Sequence, residues 1–301
     1  MKKPHIPVLP AEVMKVLRPQ AGEIYFDLTA GYGGHARLVL EKLGVNGQAW
    51  LFDQDESAIK ALREQFADDK RVTIMQSNFA AIDFSSLPHP DMILLDLGVS
   101  SVQIDSPERG FAFQHNGPLD MRMDTSQSVS AYTLVNEYSA EDLADIFWRF
   151  GEERHSRTIA RAIIQARSLH PITTTSELAE IIRGSSRGYT KIHPATRCFQ
   201  ALRIAVNHEL EALETVLPKA CQTLAPGGSL AVISFHSLED RIIKHFMRDK
   251  TRDMCDTITG QPLQESEFTT VTTRPLTAAP EELDNNPRAR SAKLRAVEKK
   301  Q

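Results

Sequence analysis

Cysteine is scarce in this 301-residue chain: Cys198, Cys221 and Cys255 are odd in number, far apart and without CxxC spacing. That excludes a disulfide framework and a thiolate zinc site, and no metal is expected. A long apolar run is also lacking. The start, Met1-Lys2-Lys3-Pro4-His5-Ile6-Pro7-Val8, carries charge but no hydrophobic stretch of signal-peptide length, and no segment approaches a membrane span. A cytoplasmic protein with no membrane partner is the expectation. Internal repeats and low-complexity tracts are absent too. So is an excess of positive charge: 35 Lys and Arg against 39 Asp and Glu give a formal net charge of -4, which argues against a uniformly basic nucleic-acid binder.

What is present is an ordinary globular composition, 41% hydrophobic and 25% charged, enough for one large domain or two modest ones. The charge balance is uneven along the chain. Ten Lys or Arg fall between Arg149 and Arg203 against four Glu, and the last residues hold Arg288, Arg290, Lys293, Arg295, Lys299 and Lys300 against Glu298 alone.

Strand and helix signals alternate through the first third. Strands are expected at Ile24 to Asp27, Ala49 to Asp53 and Val72 to Met75, with helices from Gly34 to Leu43 and Glu56 to Phe66, the pattern of a parallel α/β sheet. Met92-Ile93-Leu94-Leu95-Asp96 reads as a strand buried on both faces and ending in a carboxylate. From Gly98 to about Gln127 the chain is rich in Gly, Ser, Pro and Asp without period, as site-forming loops often are. Helices follow. Leu143, Ile146, Phe147 and Phe150 have helical spacing, Arg154, Arg157 and Arg161 share a face, and Thr174 with Glu177 reads as a capping box. One long helix is expected from Ala195, with Phe199, Leu202, Val206, Leu210, Leu213 and Leu217 on a single stripe. Pro226-Gly227-Gly228 then turns into a buried strand, Leu230 to Phe235, and Ser237 with Asp240 reads as the cap of the next helix.

The domain expectation is therefore a sheet domain in two parts, 1–126 and 200–250, interrupted by a helical insert at 127–199. A polar connector, 251–285, and a basic tail, 286–301, follow.

The run from Tyr25 to His35 ends a strand in a glycine turn, and Asp53 closes the next strand. A nucleoside cofactor site needs these parts: Gly31 and Gly33 let backbone approach a ligand, and the carboxylate takes ribose hydroxyls. Gly31-x-Gly33-x-x-Ala36 also fits a dinucleotide fingerprint, so a nicotinamide oxidoreductase is the competing class. Asp27 separates the two. A carboxylate inside the turn repels a pyrophosphate but favours a cationic methionine moiety, which points to S-adenosylmethionine. Gln76-Ser77-Asn78-Phe79 offers polar edges and a ring to an adenine, and the Pro226-Gly227-Gly228 turn matches the late sheet of class I methyltransferases. Bland readings stand beside these: Asp27 as a helix cap, Phe79 as core.

At Asp96-Leu97-Gly98-Val99-Ser100-Ser101, Glu108-Arg109-Gly110-Phe111 and Gly117-Pro118-Leu119-Asp120-Met121-Arg122-Met123-Asp124 the sequence closely resembles one family. That family is the bacterial S-adenosylmethionine-dependent 16S ribosomal RNA (cytosine-N4)-methyltransferases, the H-type small-subunit enzymes. The match continues through Gly151-Glu152-Glu153-Arg154, His193-Pro194-Ala195-Thr196-Arg197, Ile233-Ser234-Phe235-His236-Ser237-Leu238-Glu239-Asp240-Arg241 and Asn286-Pro287-Arg288-Ala289-Arg290-Ser291. The resemblance implies a Rossmann-like class I methyltransferase sheet with an inserted all-helical substrate-recognition domain. It implies methylation of the N4 amino group of a cytidine in the decoding (P-site) region of 16S ribosomal RNA, within the small subunit. Cofactor contacts are implied at Gly33, Gly34, His35, Asp53, Phe79, Asp96 and Gln103, adding to Asp27 and Gly31. A catalytically silent RNA-binding or ribosome assembly factor on the same scaffold is the alternative.

Asp96 is the expected catalytic residue, binding cofactor, base or both. Asp120, Asp124 and His236 are further candidates. Asp120, Arg122 and Asp124 read equally well as a salt-bridge network holding the loop, and His236 as a structural histidine. An enzyme acting on RNA needs sequence-independent phosphate contacts, and Arg154, Arg157, Arg161, Lys191, Arg197, Arg288 and Arg290 are the candidates.

Overall fold

A computed structural model describes residues 7–185, 193–255 and 262–301. Lys191 lies outside the described residues. The chain divides into two compact units, 1–98 with 210–301, and 99–209.

The first unit opens with α1 (Pro10–Leu17), β1 (Ile24–Asp27), α2 (Gly34–Leu43), β2 (Gln48–Asp53), α3 (Glu56–Gln65), β3 (Val72–Gln76) and β4 (Met92–Asp96). The second holds α4 (Ser101–Asp105), α5 (Ala131–Glu137), α6 (Ala140–Gly151), α7 (Ser156–Arg167), α8 (Thr175–Ser185) and α9 (Ala195–Asn207). The chain returns to the first unit through α10 (Glu209–Thr223), β5 (Ser229–Ser234) and α11 (Ser237–Lys250). A two-stranded ladder of β6 (Met254–Cys255) with β7 (Pro262–Gln264), then β8 (Phe268–Thr270), α12 (Pro280–Asn285) and β9 (Lys293–Lys299) complete it.

The main sheet has the order β3-β2-β1-β4-β5-β9-β8. The first five strands are mutually parallel, and β9 runs antiparallel to both β5 and β8. Parallel strands covered on both faces read as continuous apolar runs, as Met92 to Leu95 and Leu230 to Ile233 do, all of them buried. From β1 the chain builds outward to β3, then crosses to the other side of β1 with β4. That reversal makes a switch point, the place where open α/β sheets bind ligands.

Three expectations are corrected here. The basic tail is β9, a strand inside the sheet: Leu294, Ala296 and Val297 are buried, while Lys293 and Arg295 turn to the Asp240 carboxylate at 3.0 and 2.7 Å. Burial alone would raise Asp240, but these two cations hold it below the usual carboxylate range. Asp240 therefore serves the sheet rather than a helix cap; His236 caps α11 with Glu239. The stretch 251–285 contributes β8 to the same sheet, so it is no mere connector.

The long helix is two. His208 has left-handed backbone, φ 51, and ends α9, and the stripe divides accordingly. Phe199, Leu202 and Val206 pack into the core of the helical unit, whereas Leu213 and Leu217 pack against the sheet. The insert also begins earlier than residue 127 and ends later than 199. The loop before α5 contributes Phe111, Leu119, Met121 and Met123 to the helical core, which commits residues 99–126 to that unit. Within it, Gly110 and Gly117 allow backbone to touch backbone. A Cβ on Gly117 would lie 1.8 Å from the Pro107 carbonyl oxygen, and one on Gly110 would lie 2.2 Å from that of Pro118.

Candidate functional site

Strand register brings three carboxylates to one edge of the sheet. Asp27 ends β1 beside Leu51 and Leu94, Asp53 lies two residues past Leu51 on β2, and Asp96 two residues past Leu94 on β4. All three therefore cap neighbouring strands at the switch point, where the resemblance expected a cofactor.

The glycine turn joins β1 to α2. Gly31 (φ 52) and Gly33 (φ 75) both adopt left-handed backbone, and Gly33 is the N-cap of α2. A Cβ on Gly33 would stand 2.8 Å from the Phe66 ring, so only glycine fits the turn against α3. The Gly31 N–H donates to Asp53 Oδ2 at 2.8 Å, and the Asp55 N–H donates to Asp53 Oδ1 at 2.8 Å. One carboxylate thus ties the turn to the end of β2. Its burial nevertheless pushes it up to about 6, against the pull of those amides.

Asp27 is buried. It takes the Tyr25 hydroxyl at 2.9 Å and the Thr29 N–H at 3.2 Å. Burial raises its pKa to about 6, while nearby His35 and the Tyr25 hydroxyl oppose that rise. Phe79 opens a short 3-10 turn after β3 and packs, half-buried, against the sheet core. Asn78 caps that turn, its Oδ1 taking the Ala80 N–H at 2.9 Å and its Nδ2 donating to Gln54 Oε1 at 2.8 Å.

His35 and Asp96 form the least satisfied group in the sheet unit. Nε2 of His35, on the first turn of α2, lies 3.6 Å from Asp96 Oδ2. Both His35 ring nitrogens and Asp96 Oδ1 are buried and lack a hydrogen-bond partner among the described residues. Buried polar atoms are ordinarily paired, so orphaned ones beside a glycine turn suit a polar ligand. The Asp96 backbone is held independently of its carboxylate: its N–H donates to Thr29 Oγ1 at 2.6 Å. His236, on the adjoining β5 edge, caps α11 through Nδ1, which accepts the Glu239 N–H at 3.5 Å; its Nε2 lies 3.2 Å from Glu239 Oε1 but is buried without a hydrogen bond among the described residues.

In the helical unit the remaining candidates are engaged by the loop itself. Asp120 chelates Arg122 through Nε and Nη2 at 2.7 and 2.8 Å, and Arg122 Nη1 donates to the carbonyls of Thr125 and Gln127. Burial pulls Asp120 upward, but Arg122 keeps it below the usual range. Asp124 accepts the Ser126 N–H and hydroxyl, an Asx turn. Gln103 closes a capping box on α4, its Oε1 taking the Ser100 N–H at 2.8 Å.

Arg154, Arg157 and Arg161 are exposed and gather around one cleft. Arg197 lies on α9, 3.9 Å from Glu153, whereas Arg288 and Arg290 stand exposed in the turn before β9. Sequence reasoning missed Tyr25 and Asn207, both buried, and the half-buried Thr29. Asn207 takes the Met123 N–H at 2.7 Å and donates to the Met121 carbonyl at 2.8 Å, fixing the loop.

A family model described as the MraW methylase family matches residues 2–300. Proteins named ribosomal RNA small subunit methyltransferase H are similar along nearly the whole chain. One from a Nostoc species is 48% identical over 299 residues, covering 98% of this chain and 92% of that one. Another from Magnetococcus marinus is 46% identical over 312 residues, with 98% of both chains covered. A third, from Legionella pneumophila, is 47% identical over 304 residues, again with 98% of both chains covered.

Proposed function

Because the chain belongs to the MraW methylase family, we propose that it transfers a methyl group from S-adenosylmethionine to the N4 amino group of a cytidine in the decoding region of 16S ribosomal RNA. One observation carries the reading: Asp53, Asp27 and Asp96 stand on adjoining strand ends at the switch point, beside a glycine turn. The name shared by the relatives supplies the substrate class.

The residues present fit an adenosyl donor. Asp53 takes the backbone N–H groups of Gly31, Asp55 and Gln54, and its two oxygens retain acceptor capacity for a ribose diol. Gly31 and Gly33 leave backbone open, Phe79 presents a ring after β3, and Asp27 supplies negative charge toward a cationic methionine moiety. The donor contributes an electrophilic methyl carbon on a positively charged sulfur.

Catalysis of an in-line transfer is largely positioning and exclusion of water. The cytosine N4 lone pair is delocalised into the ring, so a carboxylate accepting from the amino protons localises it and strengthens the nucleophile. Asp96 is that acceptor, with an unpartnered buried oxygen. As the N4–carbon bond forms, the methyl–sulfur bond would break with its electron pair left on the sulfur, and the proton leaving N4 would pass to Asp96, whose Oδ2 lies 3.6 Å from His35 Nε2. Arg154, Arg157, Arg161, Lys191, Arg197, Arg288 and Arg290 serve the phosphate backbone. The target base leaves its stack to reach the sheet edge.

The donor site is expected to weaken in acid. Asp27 and Asp53 each titrate at about 6 in the free protein, and a cationic or hydroxyl-bearing ligand prefers them ionised. Protonation therefore competes with binding as pH falls through 6. Calorimetry with S-adenosylmethionine is expected to show affinity about 10- to 100-fold weaker at pH 5 than at pH 7. Asp27→Asn flattens part of that dependence; a pH-independent affinity contradicts the assignment.

Labelled-methyl transfer tests the function itself. Small-subunit particles lacking the modification are expected to take up label from S-adenosylmethionine, and large-subunit particles none. No transfer to any RNA favours the silent assembly factor.

A further inference from the structure

The helical unit carries a cleft of about 830 Å³ between α6 and α7 that none of the sheet chemistry uses. Such a volume falls within the range that encloses small organic ligands. One wall is a face of α6 bearing Glu141, Asp145 and Trp148 at i, i+4 and i+7; the other carries Arg154, Arg157 and Arg161.

Trp148 is the anomaly. The opposite face of α6 buries Leu143, Ile146 and Phe147, yet the Trp148 indole is 58% exposed. The other residues lining the cleft are alanines or polar side chains, so the indole face stands open beside charge and is free to stack on another π-face. The charges around it are not cancelled. Asp145 is paired with Arg149 at 3.3 Å, and Glu141 sits in the first turn of α6, where negative charge complements the helix dipole. The three arginines of the other wall have no ion-pair partner among the described residues. Arg157 and Arg161 are one helical turn apart, about 5–6 Å between Cβ atoms.

Unpaired guanidiniums beside an open indole suit a polyanion with unstacked aromatic faces. We infer that this cleft binds a single-stranded segment of the RNA substrate, with a base stacked on Trp148 and flanking phosphates on Arg154, Arg157 and Arg161. A duplex satisfies the arginines but keeps its base faces stacked away from the indole. An acidic peptide likewise leaves the indole unused. The inference rests on the reading of an RNA substrate and adds the element that holds the strand beyond the target base.

The chain has two tryptophans, Trp50 and Trp148, so the full-length Trp50→Phe protein reports on Trp148 alone by fluorescence. Titration with a ten-nucleotide oligouridylate or oligoadenylate is expected to quench that emission. A duplex of equal length and polyglutamate are expected to leave it unchanged. Trp148→Ala, and the double change Arg157→Ala with Arg161→Ala, are expected to weaken oligonucleotide binding about tenfold or more. They should raise KM for small-subunit particles by a similar factor, with kcat and donor affinity retained, while Trp148→Phe restores most of the binding. Circular dichroism separates these exposed changes from misfolding.

If the wild-type protein methylates RNA but both variants bind and transfer as it does, the cleft inference falls together with the phosphate role of Arg157 and Arg161, and the methyl-transfer reading stands. If oligonucleotides quench Trp148 while no RNA is methylated, the cleft stands and the proposed function falls. Quenching by polyglutamate and not by RNA overturns the inference in favour of an acidic protein partner.

Discussion

Asp96→Ala is expected to lower methyl transfer by roughly 10²- to 10⁴-fold, the usual range for loss of a positioned proton acceptor, while the protein stays folded. Nothing in the strand depends on this carboxylate. The Asp96 N–H is held by Thr29 Oγ1, its residue stays in register with Ile233, and one carboxylate oxygen already lacks a partner. Thermal unfolding should move little. Steady-state kinetics with small-subunit particles distinguish the two roles open to this residue. A fall in kcat at unchanged donor affinity assigns Asp96 to the base, and a loss of donor affinity assigns it to the cofactor. Unchanged activity removes it from the mechanism.

Asn207→Leu is expected to destabilise the helical unit by about 2–5 kcal/mol, because it leaves buried backbone groups without partners. Asn207 sits at the end of α9, buried, with Oδ1 on the Met123 N–H and Nδ2 on the carbonyls of Met121 and Arg203. Met121 needs that grip: its side chain is fully buried and its backbone is left-handed, φ 61, a conformation that disfavours a bulky residue. Leucine fills similar space but satisfies none of the three bonds. Urea unfolding should show an earlier transition for the variant, and an unchanged midpoint contradicts the clamp.

The sheet was readable from sequence because its central strands are buried on both faces. Ile24 to Asp27 and Met92 to Asp96 are continuous apolar runs that end in acids, and their observed bounds coincide with those expected. The same acids marked the strand ends that meet at the switch point, since strand ends and glycine turns are local features.

What was not readable depends on distant partners. Lys293 to Lys299 mixes basic and apolar side chains and looks like a solvated tail until Asp240 pairs with two of its cations and β5 and β8 flank it. His208 interrupts a helical stripe whose period continues across it, so only the separate cores on either side reveal the break. Asn207 resembles any polar helix residue, and its role exists only because the loop at Met121 to Met123 returns to it. The His35 and Asp96 pairing joins a helix start to a strand far along the chain, which no spacing rule connects.

The chemical identity of the product is the decisive measurement for the proposed reaction. After transfer from S-adenosylmethionine to small-subunit particles, the RNA is digested to nucleosides and the labelled one identified by mass and chromatographic comparison. N4-methylated cytidine is the expected product, lowered by roughly 10²- to 10⁴-fold when the Asp96→Ala protein is used. Label on carbon 5 of the ring, or on any base other than cytosine, contradicts the proposed reaction.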